Sequence, residues 1–373
     1  MPDTSDKDLR FMAAAERLAR RGFGRVWPNP SVAALIVRED EGDILVGRGV
    51  TSRPGMAHAE VNALTQAGDR ARGATCYVTL EPCSHYGRTP PCALALVEAG
   101  IKRVVVGMPD PNPRVAGRGV AMLREAGLEV IVGAREAAMQ TLYRGFSLRQ
   151  LRQRPQVFLK LARSKDGFIG RAGDGQVRIS GPLSMRKVHG FRAEFDAILV
   201  GSGTALEDDP QLTCRLPGLA ERSPVRVIID RRARLPLGSK LVRTCADVPV
   251  WLICGNDADP GKIDDLAAAG VNVIRVPATV TGIEPAVILS ALATRGITRL
   301  MVEGGARLAT SFLKADLVDD ICVVTGDIEI GSGGIPALHD LDLADVLKDP
   351  KFERVDAGTF GSDRFISLRR RGN

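Results

Sequence analysis

The first half of the sequence contains four side chains whose types and spacing suit a catalytic zinc site. His58 lies two residues before Glu60, and Cys83 and Cys92 follow, each directly after a proline. One imidazole and two thiolates supply three ligands, so a tetrahedral zinc ion keeps its fourth position for water. Such an ion lowers the pKa of water to roughly 7. Because Glu60 is not needed as a ligand, it is the candidate that takes the proton of water and delivers it to a leaving amine.

The combination of these residues is more specific than any of its parts. A lone His-x-Glu triplet is common by chance, and in nucleobase deaminases it accompanies two cysteines separated by two residues. Here eight residues, 84–91, separate Cys83 from Cys92. Three other interpretations stay open: the cysteines could be buried apolar side chains, the site could be a structural zinc whose fourth ligand is not obvious, or His58 could simply cap a helix.

The prolines beside the cysteines predict that all three ligands lie where helices begin. Pro82 and Pro91 suit the position before or at a first helical turn, and His58 opens another helix. The partial positive charge of a helix N-terminus favours the thiolate, which is the form of cysteine that binds zinc. Side chains two residues apart diverge in mid-helix, so His58 and Glu60 can serve one site only at a helix end.

Two glycine-containing segments of the second half are candidates for binding a cofactor. Segment 201–206 begins like a dinucleotide fingerprint, but Leu206 stands where the last glycine is expected. Segment 300–306 runs from a buried strand into Gly304 and Gly305 and then into a helix, which offers backbone amides to an anion such as a cofactor phosphate. A plain tight turn between strand and helix explains either segment as well.

Strand and helix signals alternate along the first half, which predicts an α/β layered domain. Amphipathic stretches that end at glycine predict helices, and short apolar runs predict strands. The predicted helices are residues 6–21, 58–68, 92–99, 117–126 and 134–150, and the predicted strands are residues 32–37, 44–50, 74–80, 103–107 and 129–132.

A domain boundary is predicted at the charged segment 149–155, which gives domains 1–150 and 151–373. The apolar runs that follow predict a second α/β domain with a mainly parallel sheet, and helical patterns such as 261–269 and 306–315 lie between several of them. The predicted buried strands are residues 157–162, 197–200, 225–229, 250–254, 271–276, 300–302 and 321–324.

Composition fits a globular protein of two domains. The chain has 373 residues, 45% hydrophobic and 25% charged, and a domain usually has about 100–200 residues. Aromatic residues make up only 4%, which argues against binding single-stranded nucleic acid by base stacking. The net charge of +7 is carried mostly by arginine. We interpret the total as a preference spread over the surface, while individual arginines suit a phosphorylated metabolite.

Targeting signals are not apparent in the sequence. The N-terminal segment lacks the apolar core of a signal peptide, and no apolar run approaches the roughly eighteen residues of a membrane span. Seven cysteines are an odd number without framework spacing. We therefore expect a cytoplasmic protein that binds no membrane and no nucleic acid, and whose clustered cysteines serve metal binding or catalysis.

Longer motifs around these residues resemble the bifunctional riboflavin-biosynthesis deaminase–reductase family. That family also separates its two cysteines by eight residues, and the resemblance extends through the whole chain. It implies a cytidine-deaminase-like α/β/α domain, a second α/β domain like dihydrofolate reductase, and zinc and NADPH as cofactors. The motifs are Pro28-Asn29-Pro30, His58-Ala59-Glu60, segments 79–92 and 110–119, and, in the second half, segments 159–161, 164–167, 196–201, 208–210 and 302–305 with Thr204, Leu212 and Arg215.

The resemblance also implies a phosphorylated pyrimidine as substrate. The first domain would release the 2-amino group of 2,5-diamino-6-(5-phosphoribosylamino)pyrimidin-4-one as ammonia and so form the uracil. The second would reduce the ribosyl group to ribityl by hydride transfer from NADPH to C1 of the ribosylamine. A homodimer through the reductase domain is a further implication.

Residue roles in the deaminase half follow from the same resemblance. Without it, Asn29 and the segment 110–113 are ordinary turn residues, and Arg88 is a solvated loop cation that could also meet a phosphate. The implied contacts to the base or ribose phosphate are Asn29, His85, Arg88, Asp110 and Asn112.

The resemblance assigns roles in the reductase half as well. Lys165 stands where the family often has leucine, and Arg178 precedes Ile179-Ser180 where an aromatic residue is common. Arg178 is therefore a candidate for the 2′-phosphate of NADPH. The implied residues are Lys160, Asp208 and Glu303 at the reacting sugar, Arg192, Leu212 and Arg215 at the substrate and its phosphate, and Ala162, Arg178, Thr204, Asp208, Gly304, Gly305, Ala306 and Arg307 along NADPH.

Two rival functions remain at this point. One is deamination of another base, such as one in RNA, with the C-terminal half as a binding module. Scarce aromatics and the long segment between Cys83 and Cys92 count against it. The other is a zinc-stabilised protein without catalysis, in which Glu60 only caps a helix.

Overall fold

The chain forms two compact units, each described here by itself. The computed structural model describes residues 4–86, 90–171, 173, 175 and 177–372. The units are Met1–Arg152 and Gln153–Asn373. No helix in the described part of the chain has both the length and the apolar character to cross a bilayer.

The first unit is a five-stranded sheet with helices on it. Short 3₁₀ turns, such as Arg20–Gly22 after the first helix, link some of the elements. The strands are β1 Ala33–Arg38, β2 Ile44–Val50, β3 Thr75–Val78, β4 Arg103–Val106 and β5 Glu129–Val132, and the helices are α1 Asp6–Ala19, α2 Ala59–Ala67, α3 Cys92–Glu98, α4 Arg118–Glu125, α5 Glu136–Leu142 and α6 Arg144–Arg152.

The first sheet has the order β2-β1-β3-β4-β5. Strand β1 is antiparallel to β2 and β3, whereas β3, β4 and β5 are parallel. Helices α2, α3 and α4 pack side by side, and α1 packs with α5. Apolar side chains of the sheet and of both helix groups form one core. These layers confirm the predicted α/β/α fold.

Helix α1 is fastened at its start and to the sheet by Asp8. The Ser5 hydroxyl accepts a hydrogen bond from the N–H of Asp8, and the Asp8 carboxylate accepts one from the N–H of Ser5, which forms a capping box. Asp8 is fully buried. Its two oxygens also accept hydrogen bonds from Arg103 on β4, at 2.8 and 2.9 Å. The helix and the sheet are therefore joined by a buried ion pair.

The second unit contains a nine-stranded sheet, a two-stranded sheet and seven described α-helices. The strands are β6 Gln156–Arg163, β7 Phe168–Arg171, β8 Ala197–Gly201, β9 Val225–Ile229, β10 Val250–Gly255, β11 Asn272–Val276, β12 Arg299–Val302, β13 Asp320–Thr325, β14 Gly334–Pro336, β15 Phe352–Phe360 and β16 Asp363–Arg370. The helices are α7 Pro182–Arg192, α8 Ser202–Glu207, α9 Lys240–Arg243, α10 Pro260–Ala268, α11 Pro285–Thr294, α12 Ala306–Lys314 and α13 Leu343–Lys348.

The large sheet is mainly parallel, as predicted. Its order is β11-β10-β9-β8-β12-β6-β13-β16-β15. The seven strands from β11 to β13 run parallel, and β16 and β15 add an antiparallel hairpin at one edge. The α/β fold predicted for this half is confirmed.

The observed secondary structure differs from the prediction in the helix over residues 134–150 and in strands β7, β14, β15 and β16, which were not predicted. The helix predicted over residues 134–150 is two helices, α5 and α6, because Tyr143 leaves helical geometry (φ −96°, ψ 9°) between them. The Tyr143 side chain is buried, and its hydroxyl donates to the carbonyl of Ser31. Strand β15 was not predicted, since nearly all of it is exposed and it lacks the apolar alternation of a half-buried strand.

Candidate active site

Four chain segments meet at one edge of the first sheet. The register pairs Ala33, at the start of β1, with Val50, at the end of β2. It also aligns the ends of β3 and β4, where Val78 pairs with Val106. The antiparallel pairing of β1 with β3 places the start of β1 at this same edge. The residues just before β1 and just after β2, β3 and β4 are therefore neighbours in space.

The three predicted zinc ligands are brought together at this edge. His58 is the N-cap residue of α2, and Cys92 is the first residue of α3. The His58 Nδ1 atom lies 3.7 Å from Cys83 Sγ and 3.3 Å from Cys92 Sγ. One donor atom from each residue lies within 4.8 Å of the others. Ligands of a tetrahedral zinc ion are about 3.6 Å apart, so this donor set fits the ion in type and in spacing.

Cys83 is not at a helix start, so that part of the prediction is wrong. It ends a segment that we call the metal loop, residues 79–83, which follows β3 without forming a helix. Its sulfur instead accepts a hydrogen bond from the backbone N–H of Cys92 (3.3 Å), and its carbonyl accepts one from Ala93. Pro82 therefore precedes a loop residue, while the positive end of α3 still faces the Cys83 sulfur.

Hydrogen bonding within the cluster favours a thiolate. The pKa of the Cys83 thiol is lowered to about 4, first because Cys92 donates to its sulfur and then because His58 does. The pKa of Cys92 is raised, because its proton is the one shared with Cys83. The hydrogen bond with Cys83 also raises the pKa of His58. Negative charge on sulfur is thus stabilised where a cation would bind.

Glu60 lies beside the cluster at the second residue of α2. Its side chain is only 3% exposed, and it interacts with Cys92, Cys83 and His58. Burial raises the pKa of Glu60 to about 7, and the charge of Cys83 adds to this effect. The first turn of α2 brings His58 and Glu60 to one site despite their spacing of two, as predicted for a helix end. A buried carboxyl here can carry a proton.

A cavity of about 490 Å³ opens beside these side chains. Four of the five residues predicted to contact the deaminase substrate line it: Asn29, His85, Asp110 and Asn112. Of these four, His85 is exposed. Arg88 lies outside the described residues. The lining residues that were predicted are Asn29, His58, Glu60, Cys83, His85, Asp110 and Asn112.

The turn residues of the cavity form turns and also line the cavity, while their contact with a substrate stays a prediction. The N–H of Asn112 donates to Asp110 Oδ1 (2.8 Å), and the N–H of Arg114 donates to Asn112 Oδ1 (3.0 Å). The N–H of Asn29 closes a turn on the carbonyl of Val26. These residues shape turns and also face the cavity. Burial raises the pKa of Asp110, with a smaller contribution from Glu81.

Two of the predicted reductase residues, Lys160 and Glu303, lie on neighbouring strands at one edge of the second sheet. Val302, at the end of β12, pairs with Leu199 on β8 and with Leu159 on β6. Lys160 is the next residue on β6, and Glu303 follows β12 directly. Parallel strands present their carboxyl ends to this same edge, which is where α/β sheets bind ligands.

Glu303 and Arg192 form a buried bidentate ion pair. Arg192 Nε and Nη2 each donate to one Glu303 oxygen at 2.9 Å, and Nη1 donates to the carbonyl of Thr213. Burial by itself would raise the pKa of Glu303, but Arg192, with help from Lys160 and His189, lowers it to about 2. The carboxylate is thus ionised at neutral pH. Two N–H groups of Arg192 remain for another acceptor.

The glycines after β12 are placed as a phosphate site requires. Gly305 is the N-cap of α12, and no side chain of the described residues caps that helix. Ala306 and exposed Arg307 form its first turn. A Cβ on Gly305 would lie 3.8 Å from Thr204 Oγ1, so α8 and α12 begin close together. The free N–H groups fit a cofactor phosphate.

The other predicted reductase residues are more scattered. Within the described chain, Arg178 is exposed in the segment before α7 and has no hydrogen bond or ion pair to the rest of the group. Ala162 is half-buried on β6, and Leu212 is buried with φ 55°. Arg215 is exposed, and its backbone N–H donates to His189. Burial raises the pKa of Asp208, which is the C-cap of α8.

Comparisons with known proteins cover both halves of the chain. A family model described as the cytidine and deoxycytidylate deaminase zinc-binding region matches residues 5–108, and one described as the RibD C-terminal domain matches residues 155–363. The chain is 38% identical to riboflavin biosynthesis protein RibD of Aquifex aeolicus, over 97% of this chain and 98% of that protein. It is 37% identical to RibD of Escherichia coli, over 97% and 99%. The chain belongs to the RibD family.

Solved RibD structures have the same fold over nearly their full length. Acinetobacter baumannii RibD matches with a TM-score of 0.84 and 36% identity, over 97% of this chain and 98% of that one. A Thermotoga maritima diaminohydroxyphosphoribosylaminopyrimidine deaminase/5-amino-6-(5-phosphoribosylamino)uracil reductase matches with a TM-score of 0.82 and 34% identity, over the same shares. These structures therefore match both units of this chain.

Membership of the RibD family confirms the predicted enzyme class. The chain is a bifunctional deaminase and reductase of riboflavin biosynthesis that acts on a small molecule. Its cofactors are zinc, in the deaminase domain, and NADPH, in the reductase domain. A C-terminal binding module and a zinc-stabilised protein without catalysis are not favoured.

Several residues that line the cavity were not predicted from the sequence. Phe146, Arg149 and Gln150 line it from α6, the helix where the charged boundary segment begins. Glu81 lines it from the metal loop and lies inside the recognised motif. No local signal marks the α6 residues, because their proximity depends on how α6 packs. For Glu81, the one feature of the sequence that could have indicated a place in the site was its position directly before Pro82-Cys83.

Proposed function

We propose that the first unit deaminates 2,5-diamino-6-(5-phosphoribosylamino)pyrimidin-4-one and that the second reduces the ribosyl group of the resulting uracil to ribityl. The clustering of His58, Cys83 and Cys92 beside a buried Glu60 carries this proposal. The substrate is taken from the activities that the name of the Thermotoga maritima relative states. We place the deaminase in residues 1–152 and the reductase in 153–373, which follows the division into compact units.

In the deaminase reaction, His58, Cys83 and Cys92 would hold zinc. The ion, when bound, supplies a Lewis acid that activates water for attack on the carbon bearing the amino group. Glu60 takes a proton from water with its carboxylate and returns it to the leaving nitrogen, which departs as ammonia.

The cavity residues would position the pyrimidine and its phosphate. Asn29, Asp110 and Asn112 offer amide and carboxyl groups to the polar edges of the base and the ribose. Exposed His85 suits the phosphate at the cavity rim. We keep Arg88 for the same phosphate only on the resemblance of its motif. Bound in this way, the reacting carbon is held beside Glu60.

In the reductase reaction, Lys160, Asp208 and Glu303 would surround the sugar. NADPH, when bound, supplies the hydride that C1 accepts. Ionised Glu303 stabilises the positive charge of the imine formed when the ribose ring opens. Its ion pair with Arg192 fixes the carboxylate in place. Lys160 lies on the strand that pairs with β12, and its charge helps to lower the pKa of Glu303. We assign it the role of donating a proton to the ring oxygen.

Other residues would bind the phosphates of the reductase ligands. The N–H groups at Gly305 and Ala306 suit a cofactor phosphate. We keep Gly304, Thr204, Arg307 and Ala162 as further contacts to NADPH. We keep Arg178 for the 2′-phosphate of NADPH. For the substrate we keep Arg215, Leu212 and the remaining N–H groups of Arg192. We also propose a homodimer through the second unit and a cytoplasmic location without nucleic-acid or membrane partners, where the site thiols stay reduced.

Incubation of the full chain with the diaminopyrimidine substrate and NADPH tests the proposal. We expect ammonia to appear first, followed by the decrease in absorbance of NADPH. Removing zinc with a chelator should stop both signals, and supplying the deaminated uracil should restore only the oxidation of NADPH. NADPH oxidation from the substrate without any ammonia release would contradict the proposed order of steps.

A further inference from the structure

Glu81 is a buried carboxylate between the metal loop and the segment that carries Asp110 and Asn112. We call that segment, residues 107–117 between β4 and α4, the substrate loop. The Glu81 residue is 5% exposed and precedes Cys83 by two positions. Its backbone N–H donates to the carbonyl of Met108 at 3.0 Å. The two loops therefore already run together at the level of the backbone.

The Glu81 side chain adds four hydrogen bonds, two to the substrate loop and two to the first turn of α4. Its Oε2 atom accepts from the N–H groups of Asp110 (3.0 Å) and Gly117 (2.9 Å). Its Oε1 atom accepts from Gly119 (2.9 Å) and Val120 (3.2 Å). Asp110 and Gly117 flank most of the substrate loop, and the other two residues lie in the first turn of α4. One carboxylate thus closes the loop and caps the helix.

Helix α4 needs an acceptor from elsewhere in the chain. Its N-cap residue is Gly117, which has φ 81° and no side chain to accept a hydrogen bond. The first N–H groups of a helix require acceptors, which Ser, Thr, Asp or Asn usually provides at the N-cap. Glu81 takes this role from 36 residues away. The helix dipole also favours a carboxylate at this end.

Close packing holds the metal loop against α4 as well. A Cβ atom at Gly119 would lie 2.0 Å from the carbonyl oxygen of Pro82. Only glycine therefore allows the first turn of α4 to approach the residue that directly precedes Cys83. The hydrogen bonds of Glu81 lie in this same contact, so they set the distance between a metal ligand and the substrate loop.

We propose that Glu81 is a positioning residue for deamination, which fixes Asp110 and Asn112 relative to Cys83. This inference rests on the proposed function, because it gives the substrate loop its role. Glu81 acts through the substrate loop and does not itself react. Its loss should therefore weaken substrate binding more than the proton transfer at Glu60.

The substitution Glu81→Gln tests the proposal in the full chain. Glutamine keeps the size but offers one accepting oxygen, so two of the four N–H groups would face an NH₂ group. We expect the KM for deamination to rise at least about tenfold with a smaller change in kcat. Zinc content and NADPH oxidation with the uracil should stay unchanged. Glu125→Gln, at an exposed site on α4, is the matched control and should keep both constants.

A merely structural role would give a different result. Partial unfolding of the first unit would lower kcat in proportion to the lost enzyme and leave KM unchanged, which would overturn the proposal. If Glu81 acts through Asp110 and Asn112, the KM of Glu81→Gln/Asp110→Ala/Asn112→Ala should not exceed that of Asp110→Ala/Asn112→Ala. Additive effects on KM would equally overturn it.

Amide exchange of the unsubstituted chain keeps the proposal testable if Glu81→Gln does not fold. Gly117 is exposed, yet its N–H should exchange slowly because Glu81 accepts its hydrogen bond. Fast exchange at Gly117 and Val120 would overturn the anchoring by Glu81 and leave the proposed function intact. Failure of the unsubstituted chain to release ammonia would instead contradict the proposed function.

Discussion

At the scale of single residues, the two cysteine sulfurs determine which metal the site binds. Two thiolates and an imidazole match zinc, a metal that accepts soft ligands, and the cluster already stabilises negative charge on Cys83. A hydroxyl group is a poor substitute, because it stays protonated at neutral pH. Cys92 is therefore needed for its sulfur and not for its size.

We predict that Cys92→Ser loses zinc. The affinity should fall by more than the roughly 10–100-fold that changes next to a ligand cause, because a ligand itself is removed. Zinc per chain, measured by atomic emission after dialysis against a weak chelator, checks this. Cys76→Ala is the control, since Cys76 is equally buried in the same unit but lies outside the cluster. Equal zinc in the two variants would contradict the assignment of Cys92.

Secondary-structure elements bring these residues together through pairings across the sheet. The ion pair between Asp8 and Arg103 joins α1 to β4, and the site segments extend from the strands that this contact supports. Burial would raise the pKa of Asp8, but Arg103 and Ser5 lower it from 3.8 to about 2. Because the pKa of Asp8 is lower in the folded chain than in the unfolded chain, the ionised carboxylate stabilises the folded state.

The first unit should therefore lose stability in acid. The contribution of Asp8 is complete above about pH 4 and disappears as the pH falls to about 2, which amounts to about 2 kcal/mol of unfolding free energy. Asp8→Asn should be less stable at neutral pH and approach the parent chain near pH 2. Urea unfolding can be followed through Trp27 in a Trp251→Phe background. Asp6→Asn, at an exposed position of α1, should have the same unfolding free energy as the parent chain. If the difference in unfolding free energy between Asp8→Asn and the parent stayed constant from neutral pH to pH 2, the role of Asp8 would be contradicted.

Each half of the whole molecule has its own core and its own set of functional residues. We expect the uracil to leave the first site and reach the second through solution. A mixture of Glu60→Gln and Lys160→Ala chains should then carry out both steps, with a lag before NADPH oxidation. With the diaminopyrimidine, Lys160→Ala alone should release ammonia only, and Glu60→Gln alone should show neither signal unless the uracil is supplied. A mixture that releases ammonia without oxidising NADPH would contradict free release of the intermediate.

Sequence patterns predicted the parts of the molecule that depend on local order. The clustering of His58, Cys83, Cys92 and Glu60 and most strands were predictable, because donor types and apolar runs are read directly from neighbouring residues. The loop position of Cys83 was not, since Pro82 suits a helix start as well as a loop. The role of Glu81 was not predicted, because its hydrogen-bond partners are backbone N–H groups, which every residue except proline carries. The exposed strand β15 had no apolar pattern to detect.

Glu60→Gln gives the most direct test of a zinc site with a buried proton carrier. Glutamine has the same size but cannot take a proton from water, while His58, Cys83 and Cys92 are untouched. We predict about one zinc per chain, unchanged NADPH oxidation with the uracil, and ammonia release slowed by about 10²–10⁴-fold. Glu125→Gln should match the parent chain. Ammonia release at the parental rate by Glu60→Gln would contradict the account.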